Sequence, residues 1–296
     1  SRNSMSVMLG TSTGAVSPST GRVGKAGPMH HALTIPPYGD LADPAALVEV
    51  AVAAESAGWD AVFLWDHVLR RPDDPQETAD PWVAMAAIAV ATERIRIGPM
   101  VTPITRRRPI KLAREATTLD HLSHGRLTLG LGLGVDTTRE LSAFGEVVDP
   151  RVRGARLDEG TELLCAFWSG EEVDFHGEHF VADQVVVLPR PFQRPRIPLW
   201  FAARGDARKP VRRAARYDGL YPIEFDEQGL AEMIEVVREE RGDLDGFDIV
   251  ARPSTAAEYG RFGEMGVTWA ITGPLPGADG SLELAGTDPR EVFLSP

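Results

Sequence analysis

From Met29 onward, short apolar runs alternate with longer segments of helical spacing almost to the C-terminus. Such alternation marks a βα repeat, in which buried strands are covered by the helices that connect them. The strand candidates are Leu33 to Pro36, Ala61 to Trp65, Ile95 to Val101, Leu127 to Leu133, Pro198 to Ala203, Gly219 to Ile223, Phe247 to Ala251 and Val267 to Thr272. Eight such runs match a closed barrel, so the expected fold class is α/β, a (β/α)8 TIM barrel with helices as its outer ring.

The helix boundaries are legible from local chemistry. Asp43-Pro44 and Asp80-Pro81 each place a capping carboxylate before a proline at the first helical position, and Gly58 ends the first helix. Within that helix Leu47, Val50, Ala51, Ala54 and Ala57 keep the spacing of one buried face. An open doubly wound sheet is the alternative, but it would carry a glycine fingerprint where this chain has Pro36-Pro37-Tyr38-Gly39. Residues 170 to 197 interrupt the repeat before the fifth strand. They read as a hairpin with a proline-rich return, equally a surface excursion or a lid.

Residues 1 to 28 are rich in Ser, Gly and Thr, show no periodicity, and are expected to form a disordered tail ahead of one barrel domain over 29 to 296. Gly21 to Ala26 lacks the spacing of a phosphate loop.

Composition narrows the partners. No apolar run approaches the roughly 20 residues of a membrane span, and the single cysteine, Cys165, cannot form an intrachain disulfide. A soluble cytoplasmic protein is expected. With 31 basic against 43 acidic residues the net charge is -12, which disfavours nucleic acid. Arg106, Arg107 and Arg108 are a local exception able to hold one small anion, and they precede a helix whose macrodipole they oppose.

A barrel builds its site at the C-terminal ends of its strands. The second strand ends in Trp65-Asp66-His67, and His67 suits proton exchange near neutral pH unless it is only a hydrogen-bonded structural residue. Asp66 either orients it, meets a cofactor or binds backbone. The fourth strand carries Gly130, Gly132 and Gly134, which permit close approach of a flat ring, a phosphate or simply another strand. The fifth ends in Ala203-Arg204-Gly205, where a guanidinium and a freed backbone N–H suit a phosphate. The pairs His121/His124 and His176/His179 lack a further ligand set, so no metal is expected. No nucleophile elbow supports a hydrolase.

In order, Ala57-Gly58-Trp59-Asp60 into Leu64-Trp65-Asp66-His67, Arg94 to Gly98 into Val101-Thr102-Pro103, and Leu119 to Arg126 into the Gly130 to Gly134 segment resemble the bacterial-luciferase superfamily over residues 29 to about 273. The resemblance implies a flavin or deazaflavin oxidoreductase with His67 as acid/base and Asp66 beside it. It further implies a non-prolyl cis peptide at Met100-Val101 supporting the cofactor ring beside Thr102, and a phosphate site shared by the fourth strand's glycines with Arg204 and Gly205. Leu133 stands where some relatives carry a phosphate-binding arginine, and the chain leaves little room for a full last helix. Reduced FMN, brought by a separate flavin reductase to a homodimeric monooxygenase of a small organic substrate, is slightly favoured. Hydride transfer with F420 is the close alternative, and a flavin-binding protein without turnover is a third.

Overall fold

Strand β1 (His30–Ile35) leads into α1 (Pro44–Ala57), whose start is set as the sequence predicts: Asp43 accepts from the Ala45 N–H and Gly58 closes the helix with φ 94°. The computed structural model describes residues 29–70, 73, 75–205, 207–273 and 281–294, so the expectation for residues 1 to 28 lies outside the described residues. Then come β2 (Ala61–Leu64), α2 (Pro81–Ala91), β3 (Arg96–Pro99), β4 (Thr102–Pro103), α3 (Pro109–Leu122), β5 (Leu129–Gly132) and α4 (Pro150–Ser169). After a hairpin of β6 (Glu172–His176) and β7 (Val181–Val186), the repeat resumes with β8 (Leu199–Arg204), α5 (Arg208–Ala215), β9 (Gly219–Ile223), α6 (Glu227–Arg241), β10 (Asp248–Ala251), α7 (Ala256–Met265) and β11 (Trp269–Thr272).

The parallel sheet runs β3-β2-β1-β11-β10-β9-β8-β5-β4. Its edges meet where Ile97 of β3 bridges Leu127, with the Ile97 N–H on the Arg126 carbonyl at 3.0 Å and the Thr128 N–H on the Ile97 carbonyl at 2.9 Å. The nine strands fill eight barrel positions, because β3 and β4 are halves of one run broken at Met100–Val101, whose peptide bond is cis. The eight sequence-predicted strands are the eight barrel positions.

Side chains plug the barrel interior. Phe63, Trp200 and Trp269 meet with ring centroids 5.3 to 6.2 Å apart, joined by Ala32, Ala61, Met100, Val250 and Ile271. Their bulk requires glycines opposite: a Cβ on Gly219 would lie 2.4 Å from the Trp200 ring. Outside the strands a larger apolar layer joins them to the helices. The closure is also buttressed electrostatically. The buried Arg126 guanidinium donates to the carbonyls of Ser123, Ala89, Thr92 and Ile95, tying the end of α2 to β3 and satisfying helix carbonyls that have no intrahelical donor.

Two peripheral expectations resolve. The inserted hairpin is fastened to α4, a helix of the outer ring, because Glu159 accepts from the His179 and Phe180 N–H groups at 2.6 to 3.1 Å. Its return is pinned by Asp120, which accepts from the Gln193 backbone and side chain at 2.9 and 2.7 Å. In place of one last helix the chain has α8 (Ser281–Ala285) and α9 (Pro289–Leu294). Phe293 of α9 stacks on His31 and meets Trp59, whose Nε1 donates to the Thr287 carbonyl at 3.0 Å, so the end of the chain packs over β1 and α1. Among the described residues no helix is long and apolar enough to cross a membrane.

Closure of the barrel depends on Gly98, where a Cβ would fall 1.9 Å from the Thr128 carbonyl oxygen. Gly98→Ala is expected to cost about 3 kcal/mol or more in urea unfolding, since the obstacle is backbone; a loss under about 1 kcal/mol would show that the seam can open without penalty.

Candidate active site

Just beyond β2, Trp65, Asp66 and His67 leave the strand, with Asp66 buried and Trp65 and His67 partly exposed. Asp66 is fully buried, and its carboxylate takes Arg106 Nη2 at 2.7 Å, Arg107 Nη2 at 2.9 Å, the Thr102 hydroxyl at 2.7 Å and Trp82 Nε1 at 3.1 Å. Arg106 also donates to the Asp66 backbone carbonyl. Desolvating a carboxylate costs several kcal/mol unless its lone pairs are met, and here they are. These contacts give Asp66 a role that the sequence did not suggest, that of an anchor: its partners are α2, β4 and the turn before α3. The small anion sought for Arg106 and Arg107 is therefore this carboxylate, and Thr102 belongs to the same network.

His67 has a different partner. Its Nδ1 lies 2.8 Å from Glu140 Oε2, while Glu140 Oε1 accepts from the N–H groups of Val68 and Leu69 at 2.6 and 3.2 Å. A carboxylate offers only acceptors, so Nδ1 carries the proton and Nε2 is left as the basic nitrogen of the neutral ring. Burial pulls the Glu140 carboxyl upward, but the His67 contact and the backbone donors outweigh it and hold the group below the usual carboxylate range. Trp65, 5.9 Å from the His67 ring between centroids, is fixed by its Nε1 on the Thr34 hydroxyl at 2.7 Å. Sequence reasoning missed Glu140, which lies in the loop after the fourth barrel position with no local pattern to mark it.

It also missed Tyr221 and Arg252. Tyr221 pairs in register with Ala202 and packs on the interior aromatic cluster. Burial pushes its hydroxyl up, opposed by the charge and hydrogen bond of Arg252.

The proposed cofactor residues divide into groups. Met100, Val101, Gly130 and Gly132 come together: a Cβ on Gly130 would lie 2.4 Å from the Pro99 carbonyl and 2.9 Å from Met100 Sδ, and one on Gly132 would lie 2.6 Å from a Val101 methyl. The missing side chains thus admit the Met100–Val101 segment itself. Gly134, at φ 72°, turns the chain beside Pro103, and Arg153 of α4 reaches the Gly134 and Leu133 carbonyls at 2.7 and 3.3 Å.

At the end of β8, Ala203 is buried in the outer core, and the exposed Arg204 pairs with Glu224 at 3.1 Å. Gly205, at φ 56°, has no atom within 4 Å of where a Cβ would sit. It adjoins a cleft of about 360 Å³ lined also by Ala207 and Arg208. The N-terminus of α5 has no side-chain cap, whereas α1, α2, α4, α6 and α7 are capped by Asp43, Asp80, Asp149, Asp226 and Thr255.

Among the described residues, the two members of neither histidine pair share a cluster of possible metal ligands. His121 Nε2 contacts the Arg190 carbonyl and His124 packs edge-on to Phe192. The hairpin instead gathers Asp174, His176 and Asp183, all exposed, with ligand atoms within 4.8 Å of one another.

Residues 21–258 match the model of the luciferase-like monooxygenase family. The chain belongs to this family. A relative within it, an F420-dependent glucose-6-phosphate dehydrogenase of Nakamurella multipartita, is 34% identical over 55% of this chain and 48% of its own length. The chain thus spans about half of that relative. Among solved structures, an F420-dependent secondary alcohol dehydrogenase superposes with a TM-score of 0.74 at 20% identity, covering 90% of this chain and 98% of that one. The monooxygenase RslO1 of Streptomyces bottropensis gives 0.72 at 19%, covering 88% and 97%. Luciferase-like proteins of both chemistries therefore share this barrel, and the family is one of oxidoreductases.

Glu140 supplies a pH test. A carboxyl held below its unfolded value contributes stability that is complete above the ordinary carboxylate range and fades as pH falls through the lowered folded value. Glu140→Gln is expected to cost about 1.5 to 3 kcal/mol at pH 7 and to cost less as the solution is acidified. An equal cost at pH 7 and in acid, measured by denaturant titration, would mean that the carboxylate charge is not what holds His67.

Proposed function

We propose that the chain is an F420-dependent oxidoreductase that takes hydride from a hydroxyl-bearing carbon of a small substrate, with His67 Nε2 receiving the hydroxyl proton. The observation that carries this reading is the His67–Glu140 pair, which leaves one basic nitrogen at a strand end of the barrel mouth. Oxidation of an alcohol releases a proton together with the hydride, and a positioned imidazole is the side chain suited to receive it. Glu140 offsets the positive charge that His67 then gains, at 2.8 Å and shielded from water.

The residues present fit a flat, phosphate-bearing cofactor. Val101, Gly132 and Ala202 adjoin one another near the C-terminal ends of their strands and offer small or aliphatic groups to a flat ring. Gly205, the open N-terminus of α5 and Arg204 offer backbone N–H groups and a guanidinium for the phosphate. F420 when bound supplies the hydride acceptor; the protein supplies position and proton handling. The named relative in the family supports F420 over the FMN that the sequence alone slightly favours. The monooxygenase reading keeps one specific support, the near-complete coverage of RslO1.

Anaerobic titration decides between them: F420 is expected to bind more tightly than reduced FMN, and binding of reduced FMN with none of F420 would move the assignment to monooxygenation. With the preferred cofactor, His67→Ala is expected to keep cofactor affinity while turnover falls by about 100-fold or more. A parallel loss of affinity and fold, with turnover per bound cofactor intact, would make His67 structural.

A further inference from the structure

A second basic cleft lies among the outer helices and the inserted hairpin. The N-terminal end of α3, α4 and the hairpin enclose a cleft of about 420 Å³ whose charged lining is Arg106, Arg107, Arg108, Arg156 and His179, against Glu146. Asp66 and Glu115 account for Arg106 and Arg107. Among the described residues no carboxylate pairs with Arg108 or Arg156, in a chain whose overall charge is -12. The concentration of positive charge is therefore a local feature, not a general one.

Three buried nitrogens on these residues, Nε of Arg107, Nε of Arg156 and Nε2 of His179, have no hydrogen-bond partner. Buried polar groups left unpaired cost about 1 to 3 kcal/mol each, more when charged, and beside them the guanidinium groups of Arg108 and Arg156 line the cleft with no carboxylate to offset their charge. Arg108 also sits at the uncapped start of α3, where its charge opposes the macrodipole. An anion in the cleft would reverse that penalty as well as meeting the guanidinium groups.

We propose that this cleft binds a phosphate group, at a site separate from the Gly205 end of β8. Two arginines without a partner carboxylate offer paired N–H donors that suit a tetrahedral oxyanion with several acceptor oxygens. Phe180 and Val181 of the hairpin form the facing wall, which gives the insertion a role beside the barrel. The proposal stands whichever cofactor the mouth takes.

Calorimetric titration with inorganic phosphate and with glycerol 3-phosphate, at constant ionic strength in chloride, tests it. Saturable binding is expected in the wild type, weakened by about tenfold or more in Arg108→Gln and in Arg156→Gln and retained in Arg204→Gln. Tighter binding of the ester identifies a phosphorylated small molecule as the occupant, and tighter binding of inorganic phosphate identifies the free ion; both uphold the site. In phosphate-free chloride the Arg108→Gln and Arg156→Gln variants should melt no lower than the wild type, since neither arginine gives up a carboxylate partner. No saturable binding, binding that survives both substitutions, binding lost only in Arg204→Gln, or melting points already depressed without phosphate would each overturn the proposal.

Discussion

The end of the second barrel strand is organised by one buried ion pair. The Asp66 carboxylate, with its two arginines and the Thr102 and Trp82 donors, ties together β2, α2, β4 and the turn leading into α3. Removing the carboxylate would leave Arg106 without a carboxylate partner and Arg107 with Glu115 alone, so these elements have little freedom to move independently. Asp66 and His67 are neighbours in the chain with separate partners, the two arginines for one and Glu140 for the other, so the acidic residue anchors the segment that carries His67.

A second constraint is steric. The run that forms β3 and β4 breaks at Met100–Val101, and the displaced segment fits only because the adjacent strand offers Gly130 and Gly132. The Phe63, Trp200 and Trp269 cluster packs the barrel interior together with Met100 of the same broken run. Glu140 then completes the arrangement from a loop, holding the imidazole by one nitrogen and the backbone after it by two N–H groups.

How much of this was legible in the sequence follows from the range of the interactions. Strands and helix starts were readable because their causes are local: apolar runs of strand length, and Asp-Pro steps whose carboxylate and ring act within one turn. The glycine-rich strand was readable as a place of close approach, but not what approaches, since Val101 and Met100 reach it across a strand boundary. Arg106 to Arg108 stood out as a cluster, yet the anion for two of them lies 40 or 41 residues earlier in the chain. Glu140 is 73 residues from His67, and only the folded barrel brings the two together. Tyr221 and Arg252 gave no signal either, because pairing between neighbouring strands leaves no short motif. The contacts of Phe293 with His31 and Trp59 left no local pattern either, since they join residues more than 230 apart in the chain.

Proton transfer at this site depends on which nitrogen of His67 is free to take a proton. Nitrogen-15 spectra of histidine-labelled protein, with His67 assigned by comparison with His67→Gln, read this directly. The neutral ring is expected to carry its proton on Nδ1, in the hydrogen bond to Glu140, with Nε2 unprotonated, and to lose this preference in Glu140→Gln. A neutral ring protonated on Nε2, or a tautomer indifferent to Glu140, would contradict this expectation.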